Sequence, residues 1–123
     1  MYDLMIRGHF DAAHALHDYP GECRNLHGHT WDVEVVVRGS VLDTIGIVYD
    51  FKTLKDDLDS VLEPLDHGYL NDVPPFDSEN PTAENLSRYI YDTLATRVGS
   101  AVSVVEVSVW ESPVARITYR GAE

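Results

Sequence analysis

Cys23-Arg24-Asn25-Leu26-His27-Gly28-His29-Thr30-Trp31-Asp32-Val33-Glu34-Val35-Val36-Val37-Arg38 is a loop running into a strand. Trp31, Val33, Val35 and Val37 alternate with polar or exposed-type positions, the period of a half-buried strand. Strand side chains repeat every two residues, so His27 and His29 project to the same side as that apolar row. Two imidazoles then stand at the mouth of the strand, on its apolar face, with one glycine between them. Neutral imidazoles aimed at one point suit a zinc ion. The plainer alternative is a pair of part-buried histidines satisfied by backbone groups. The only cysteine of the chain, just ahead of His27, strengthens the metal reading.

Upstream, Leu4, Ile6, Phe10 and Ala12 share one face over residues 2 to 14, and His14 is in phase with them. His9 falls on the opposite face and His17 in the next loop, so both are expected to be exposed. Leu16 to Asn25, with Asp18, Pro20 and Gly21, is a loop that returns the chain to His27. Two antiparallel strands joined in this way bring His14 beside His27 and His29, which supplies a third imidazole.

Downstream, a turn over Gly39 to Gly46 and a short extended piece lead to Asp50, a helix N-cap. Phe51, Leu54, Leu58, Val61, Leu62 and Leu65 form one apolar stripe at helical spacing. Residues 65 to 80 read as a long loop that carries Asp66-His67. Asn80-Pro81-Thr82 opens a second helix whose inner face is Leu86, Ile90 and Leu94 and whose end is marked by Gly99. Ala101 to Trp110 is a valine-rich strand in which Val105, Val107 and Val109 share a face. Glu111 continues that face, where an apolar residue is the rule. After a turn at Ser112-Pro113, Ala115, Ile117 and Tyr119 line the last strand. The expected fold class is α+β: one domain over residues 1–123, order ββααββ, an antiparallel four-stranded sheet with two helices on one face.

Composition narrows the function. The chain carries 21 acidic and 9 basic side chains, a formal net charge of −12. Such a surface repels nucleic acid and calls for a local cluster of donors to hold any anionic substrate. The same acidity, with Lys52 and Lys55 the only lysines, points to a surface adapted to high salt. No apolar run is long enough for a transmembrane helix, and the start has no signal-peptide core. A single cysteine excludes an internal disulfide, which fits a reducing cytoplasm.

Three histidines on two strands leave zinc an open position, the arrangement of a catalytic rather than a structural site. Cys23 is open to three roles: fourth ligand, nucleophile or general base. Asp66-His67 is either a relay, the carboxylate orienting the imidazole, or an ordinary loop dipeptide. Glu111 is either a carboxylate that accepts two adjacent N–H donors of a ligand or an exposed strand-end residue.

Phe10-Asp11-Ala12-Ala13-His14, Cys23 to His29, Leu65-Asp66-His67-Gly68-Tyr69-Leu70-Asn71, Asn80 to Asn85 and Glu111-Ser112-Pro113 occur in an order that resembles the 6-pyruvoyl-tetrahydropterin and 6-carboxy-tetrahydropterin synthase family. The resemblance covers nearly the whole chain. It implies a tunnelling-fold (T-fold) subunit, with three subunits closing a barrel and two barrels stacked as a homohexamer. It implies Zn2+ on His14, His27 and His29. Cys23 would be the general base, coupled to Asp66 and His67 from a neighbouring subunit; Glu111 would grip the pterin ring, and Thr82 would touch it. The implied substrate is 7,8-dihydroneopterin triphosphate, for whose phosphates Arg24, Lys52, Arg116 and Arg120 are the candidates. The short C-x-x-x-H-G-H spacing resembles the 6-carboxy-tetrahydropterin branch, which loses acetaldehyde and feeds queuosine or archaeosine. The alternatives are 6-pyruvoyl-tetrahydropterin formation and a non-catalytic pterin- or zinc-binding module.

Overall fold

The computed structural model describes residues 1–16 and 27–122, with His27 described by its backbone only. Strands β1 (Tyr2–His14) and β2 (His27–Gly39) pair antiparallel along their whole length, Tyr2 opposite Gly39 and His14 opposite His27. β3 (Gly68–Tyr69) adds to β1 in parallel, while β4 (Ser103–Ser112) and β5 (Ala115–Tyr119) extend the other side antiparallel, in the order β3-β1-β2-β4-β5. The sheet is therefore five-stranded and mixed, where the sequence pattern gives four antiparallel strands. Two residues are too few to show a period of two, and β3 falls inside the segment read as a loop.

α1 (Phe51–Leu62) begins as expected: the Asp50 carboxylate accepts from the Lys52 backbone N–H at 2.8 Å. Leu54, Leu58, Val61 and Leu62 are buried. Phe51 is 59% exposed instead. It opens the helix and lines an apolar groove with Tyr2, Leu4, Leu42 and Ile47 rather than reaching the core. Pro64, with no N–H to give, sits in a 3₁₀ turn that closes the helix. Gly8 lets α1 lie close to β1, since a Cβ there would stand 3.0 Å from a Leu58 methyl.

α2 (Ala83–Ala95) is capped by the Thr82 hydroxyl, which accepts from the Asn85 N–H at 3.1 Å, so Pro81 lies before the cap and not in the first turn. Its Leu86, Ile90 and Leu94 pack toward β4 and β5. Phe10 and Trp31, both fully buried, stack across β1 and β2 with centroids 6.0 Å apart and planes 8° from parallel. Truncating either to alanine would cost about 3–5 kcal/mol, so this pair is a stiff floor for what lies beyond it.

β4 departs from simple alternation. Val36 faces Glu106 and Val37 faces Val104, so Val105 is an extra residue and the buried positions are Val104, Val107 and Val109. Val105 is only half-buried, a correction to the row read from the sequence. A second irregularity follows, with Trp110 opposite Arg116 and Ser112 opposite Ala115. The residue left over is Glu111. No helix among the described residues is long and apolar enough to cross a membrane.

Candidate functional site

β1 delivers His14 to its inner face one step past Phe10 and Ala12, and β2 delivers His29 just before Trp31. The two imidazoles meet edge to face, centroids 5.1 Å apart at 75°. Both also stand edge-on to the indole, at 4.9 Å and 88° for His14 and 5.3 Å and 71° for His29. Rings wedged in this way cannot swing freely, which is the preorganisation a metal site needs. His14 is 1% exposed, and its Nδ1 lies 2.9 Å from the Pro81 carbonyl oxygen. A carbonyl only accepts, so Nδ1 carries the proton and Nε2 keeps its lone pair for the site. The plain reading of a backbone-satisfied histidine thus holds for one nitrogen and leaves the other available to a metal.

Glu111 turns to this same face from the irregularity in β4. Its Oε1 lies 3.7 Å from His29 Nε2 and 4.0 Å from His14 Nε2. The three donor atoms are all within 4.8 Å of one another. Ligand atoms around a tetrahedral zinc stand roughly 3.3–3.5 Å apart, from bonds of ~2.0–2.1 Å. Small rotations of the Glu111 side chain close that difference, so nitrogen and oxygen donors present here fit a dication. His27 sits opposite His14 in the ladder. Sequence reasoning placed Glu111 apart from the imidazoles; the structure places it among them, able to meet an ion or the N–H edge of a molecule held beside it.

A second cluster lies at the β3 edge. Asp66 Oδ2 is 2.9 Å from His67 Nδ1, and Asp66 Oδ1 accepts the Asp11 backbone N–H at 2.9 Å. Asp11 in turn accepts the Thr30 hydroxyl at 2.6 Å and, through its carbonyl, the His67 N–H at 2.6 Å. The Asp11 N–H, and after it the His67 ring, hold the Asp66 carboxyl below the usual carboxylate range. His67 has a left-handed backbone, φ 57°, and a side chain 78% exposed. A carboxylate that orients an imidazole from one side and leaves its far nitrogen in solvent can pass a proton. His67 and His29 both border an open depression of about 480 Å³ with Asp11, Gly28 and Thr30.

The structure thus brings His14, His29 and Glu111 together and pairs Asp66 with His67. Thr82 is next to Pro81, which holds His14, but its hydroxyl is engaged as the cap of α2. Cys23 and Arg24 lie outside the described residues. Arg116 stacks over Trp110 at 5.3 Å and Arg120 pairs with Glu106 at 3.0 Å, so neither is a ready phosphate ligand. Asp11, Thr30 and the Pro81 carbonyl escaped the sequence reading. Asp11 and Thr30 had a signal, since both lie on the outer phase of their strands close to the motifs; a backbone carbonyl has none.

The model of the family 6-pyruvoyl tetrahydropterin synthase matches residues 3–122. A dihydroneopterin monophosphate aldolase of Pyrococcus furiosus is 38% identical over 108 residues, 88% of each chain. A 6-carboxy-5,6,7,8-tetrahydropterin synthase of Synechocystis is 39% identical over 103 residues, 80% of this chain and 78% of that one. The solved structure of Caenorhabditis elegans 6-pyruvoyl tetrahydropterin synthase superposes with a TM-score of 0.90 at 31% identity, covering 98% of this chain and 96% of that one.

Proposed function

This chain belongs to the 6-pyruvoyl tetrahydropterin synthase family, and from that premise we propose that it is a zinc-dependent 6-carboxy-5,6,7,8-tetrahydropterin synthase. It converts 7,8-dihydroneopterin triphosphate to 6-carboxytetrahydropterin, acetaldehyde and triphosphate, on the way to the deazaguanine nucleosides of tRNA. The observation that carries the reading is the convergence of two imidazole Nε2 atoms and the Glu111 carboxylate on one face, next to a short C-x-x-x-H-G-H. His14, His27 and His29 would hold the metal. Bound there, zinc would polarise the side-chain hydroxyls of the substrate and acidify the C–H beside them.

This chain's own groups would do the rest. Glu111 accepts the N–H edge of the pterin with both oxygens and so fixes the side chain over the imidazoles. Cys23, as thiolate, takes the proton. Asp66 orients His67, which relays it at its exposed nitrogen. Thr82 touches the ring from the start of α2. We place the protein in the cytoplasm as a homohexamer, a dimer of trimers with active sites at subunit interfaces. Joining the β3 and β5 edges between copies would remove two open sheet edges.

A second reading is favoured by the relative from Pyrococcus furiosus: retro-aldol cleavage of the same side chain, leaving a hydroxymethyl pterin. Both reactions begin with proton removal at a side-chain hydroxyl, and the site suits either. Incubation of zinc-loaded protein with 7,8-dihydroneopterin triphosphate, with products identified by mass, decides between them. The carboxy product with acetaldehyde supports the first reading. The hydroxymethyl pterin supports the second, and the pyruvoyl product places the chain with the biopterin-forming enzymes. Binding without conversion makes it a pterin-binding module.

A further inference from the structure

Residues 66 to 71 run beside the last turn of β1 like a splint. The Asp66 carboxylate takes the Asp11 N–H, and the His67 N–H reaches the Asp11 carbonyl. Gly68 and Tyr69 then pair with Ala12 and Ala13 as strand to strand. The ladder would stop there, because the chain turns into a 3₁₀ helix at Leu70–Asp72. Asn71 carries it one step further. Its Oδ1 accepts the Ala15 N–H at 2.9 Å and its Nδ2 donates to the Ala15 carbonyl at 2.9 Å. A carboxamide has one acceptor and one donor side by side, the same pair that a neighbouring strand would offer. One side chain thus stands in for a residue of β3 and grips both backbone groups of the residue that follows His14.

We propose that Asn71 is a positioning residue for the metal centre: by clamping Ala15 it fixes the end of β1 from which His14 reaches its Nε2 into the site. The inference rests on the reading of His14 and His29 as metal ligands. His14 is held from three sides. Trp31 and His29 wedge the ring and Pro81 takes its Nδ1 proton, but these contacts fix the ring only relative to its own Cα. His14 is the final residue of β1, at the last pair of the β1–β2 ladder, with Ala15 already outside both strands. Without the clamp, nothing among the described hydrogen bonds would hold the backbone of Ala15. The Cα of His14 would gain the freedom of a fraying strand end. A ligand whose Cα wanders by a few tenths of an ångström weakens a site even when the ring keeps its tautomer, and partners of this outer kind are typically worth 10–100-fold in metal affinity.

Cobalt(II) added to metal-free protein is the probe, because its visible absorption reports ligand geometry as well as occupancy. Asn71→Ala removes both bonds. Asn71→Asp keeps the size and the acceptor for the Ala15 N–H but sets a carboxylate oxygen against the Ala15 carbonyl. Leu94→Ala, at the end of α2 remote from Pro81, is the control for a loss of stability alone. Both Asn71 variants should bind cobalt about 10–100-fold more weakly than wild type, with shifted visible bands. Leu94→Ala should melt lower yet keep the wild-type affinity and bands. Asn71 variants that melt lower but keep wild-type affinity and bands would overturn the inference and leave Asn71 a stabilising residue only. If Asn71→Ala does not fold, Asn71→Asp decides by the same readout. A wild-type protein that takes up no cobalt overturns the metal reading, and the inference with it.

Discussion

The imidazole cluster and the Asp66–His67 pair share one end of β1 and are built by different means. His14 and His29 are fixed by side-chain packing: strand alternation sends them inward, and the indole of Trp31 stops their rings from turning. Asp66 and His67 are fixed by backbone hydrogen bonds to Asp11, with both side chains exposed. The difference follows from what each must do. A metal needs donors that keep their places when nothing is bound, and burial against aromatic rings provides that. A group that moves protons needs contact with solvent or substrate, so it is held from behind and left open in front.

The largest expected effect separates the two regions outright. His29→Ala should lower metal affinity by more than the roughly 10–100-fold typical of an outer partner, because it removes a donor itself. His67→Ala should leave metal content unchanged and lower turnover by about 10²–10⁴-fold, the range of a positioned acid or base. Metal analysis of both proteins beside an activity assay checks this; loss of metal from His67→Ala would merge the two regions into one site.

Glu111→Gln probes the boundary. It replaces one acceptor oxygen with a donor that would face a pterin N–H, and charge-assisted bonds are worth ~1.5–3 kcal/mol each. Pterin affinity should fall at least about tenfold with zinc retained, measured by titration with sepiapterin. Zinc lost in step with the carboxylate would make Glu111 a metal ligand, a role its 3.7 Å approach to His29 also permits.

The smallest effect concerns acid stability. The folded protein holds the Asp66 carboxyl below its ordinary value, chiefly through the Asp11 N–H. A depressed folded pKa contributes stability that is fully present above the unfolded value of about 3.9 and is withdrawn as pH falls through the folded value. Asp66→Asn has no such titration. Its melting temperature should therefore fall less steeply than that of wild type below about pH 4, and parallel acid profiles would show that the Asp11 bond does not survive in solution.

The same contrast explains what could be read from the chain. His14 and His29 were legible because a strand period carries a residue's face along many positions, and Asp50 and Thr82 because caps are local. Glu111 was placed on the correct face, yet from a row that included Val105, which the structure takes out of that row. Phe51 fits the stripe of α1 by angle, but whether the sheet extends under the first turn is a tertiary matter. β3 and the grip of Asn71 on Ala15 join segments 56 residues apart through a side chain acting as backbone, and no local pattern encodes that.

The extra residue at Val105 bears on length as well as on shape. Ahead of it the inward positions of β4 carry even numbers, as at Val104; beyond it they carry odd ones, as at Val107 and Val109, and Glu111 follows in step. The strand holds one residue more there than its ladder with β2 can pair. Removing Val105 would leave every other side chain on its present face, so the chain has one place where it can shorten by a residue silently. Removing any residue from Val107 to Trp110 would instead turn either Glu111 or the strand before it to the opposite side. Related chains that differ in length within this strand should therefore differ at this one point.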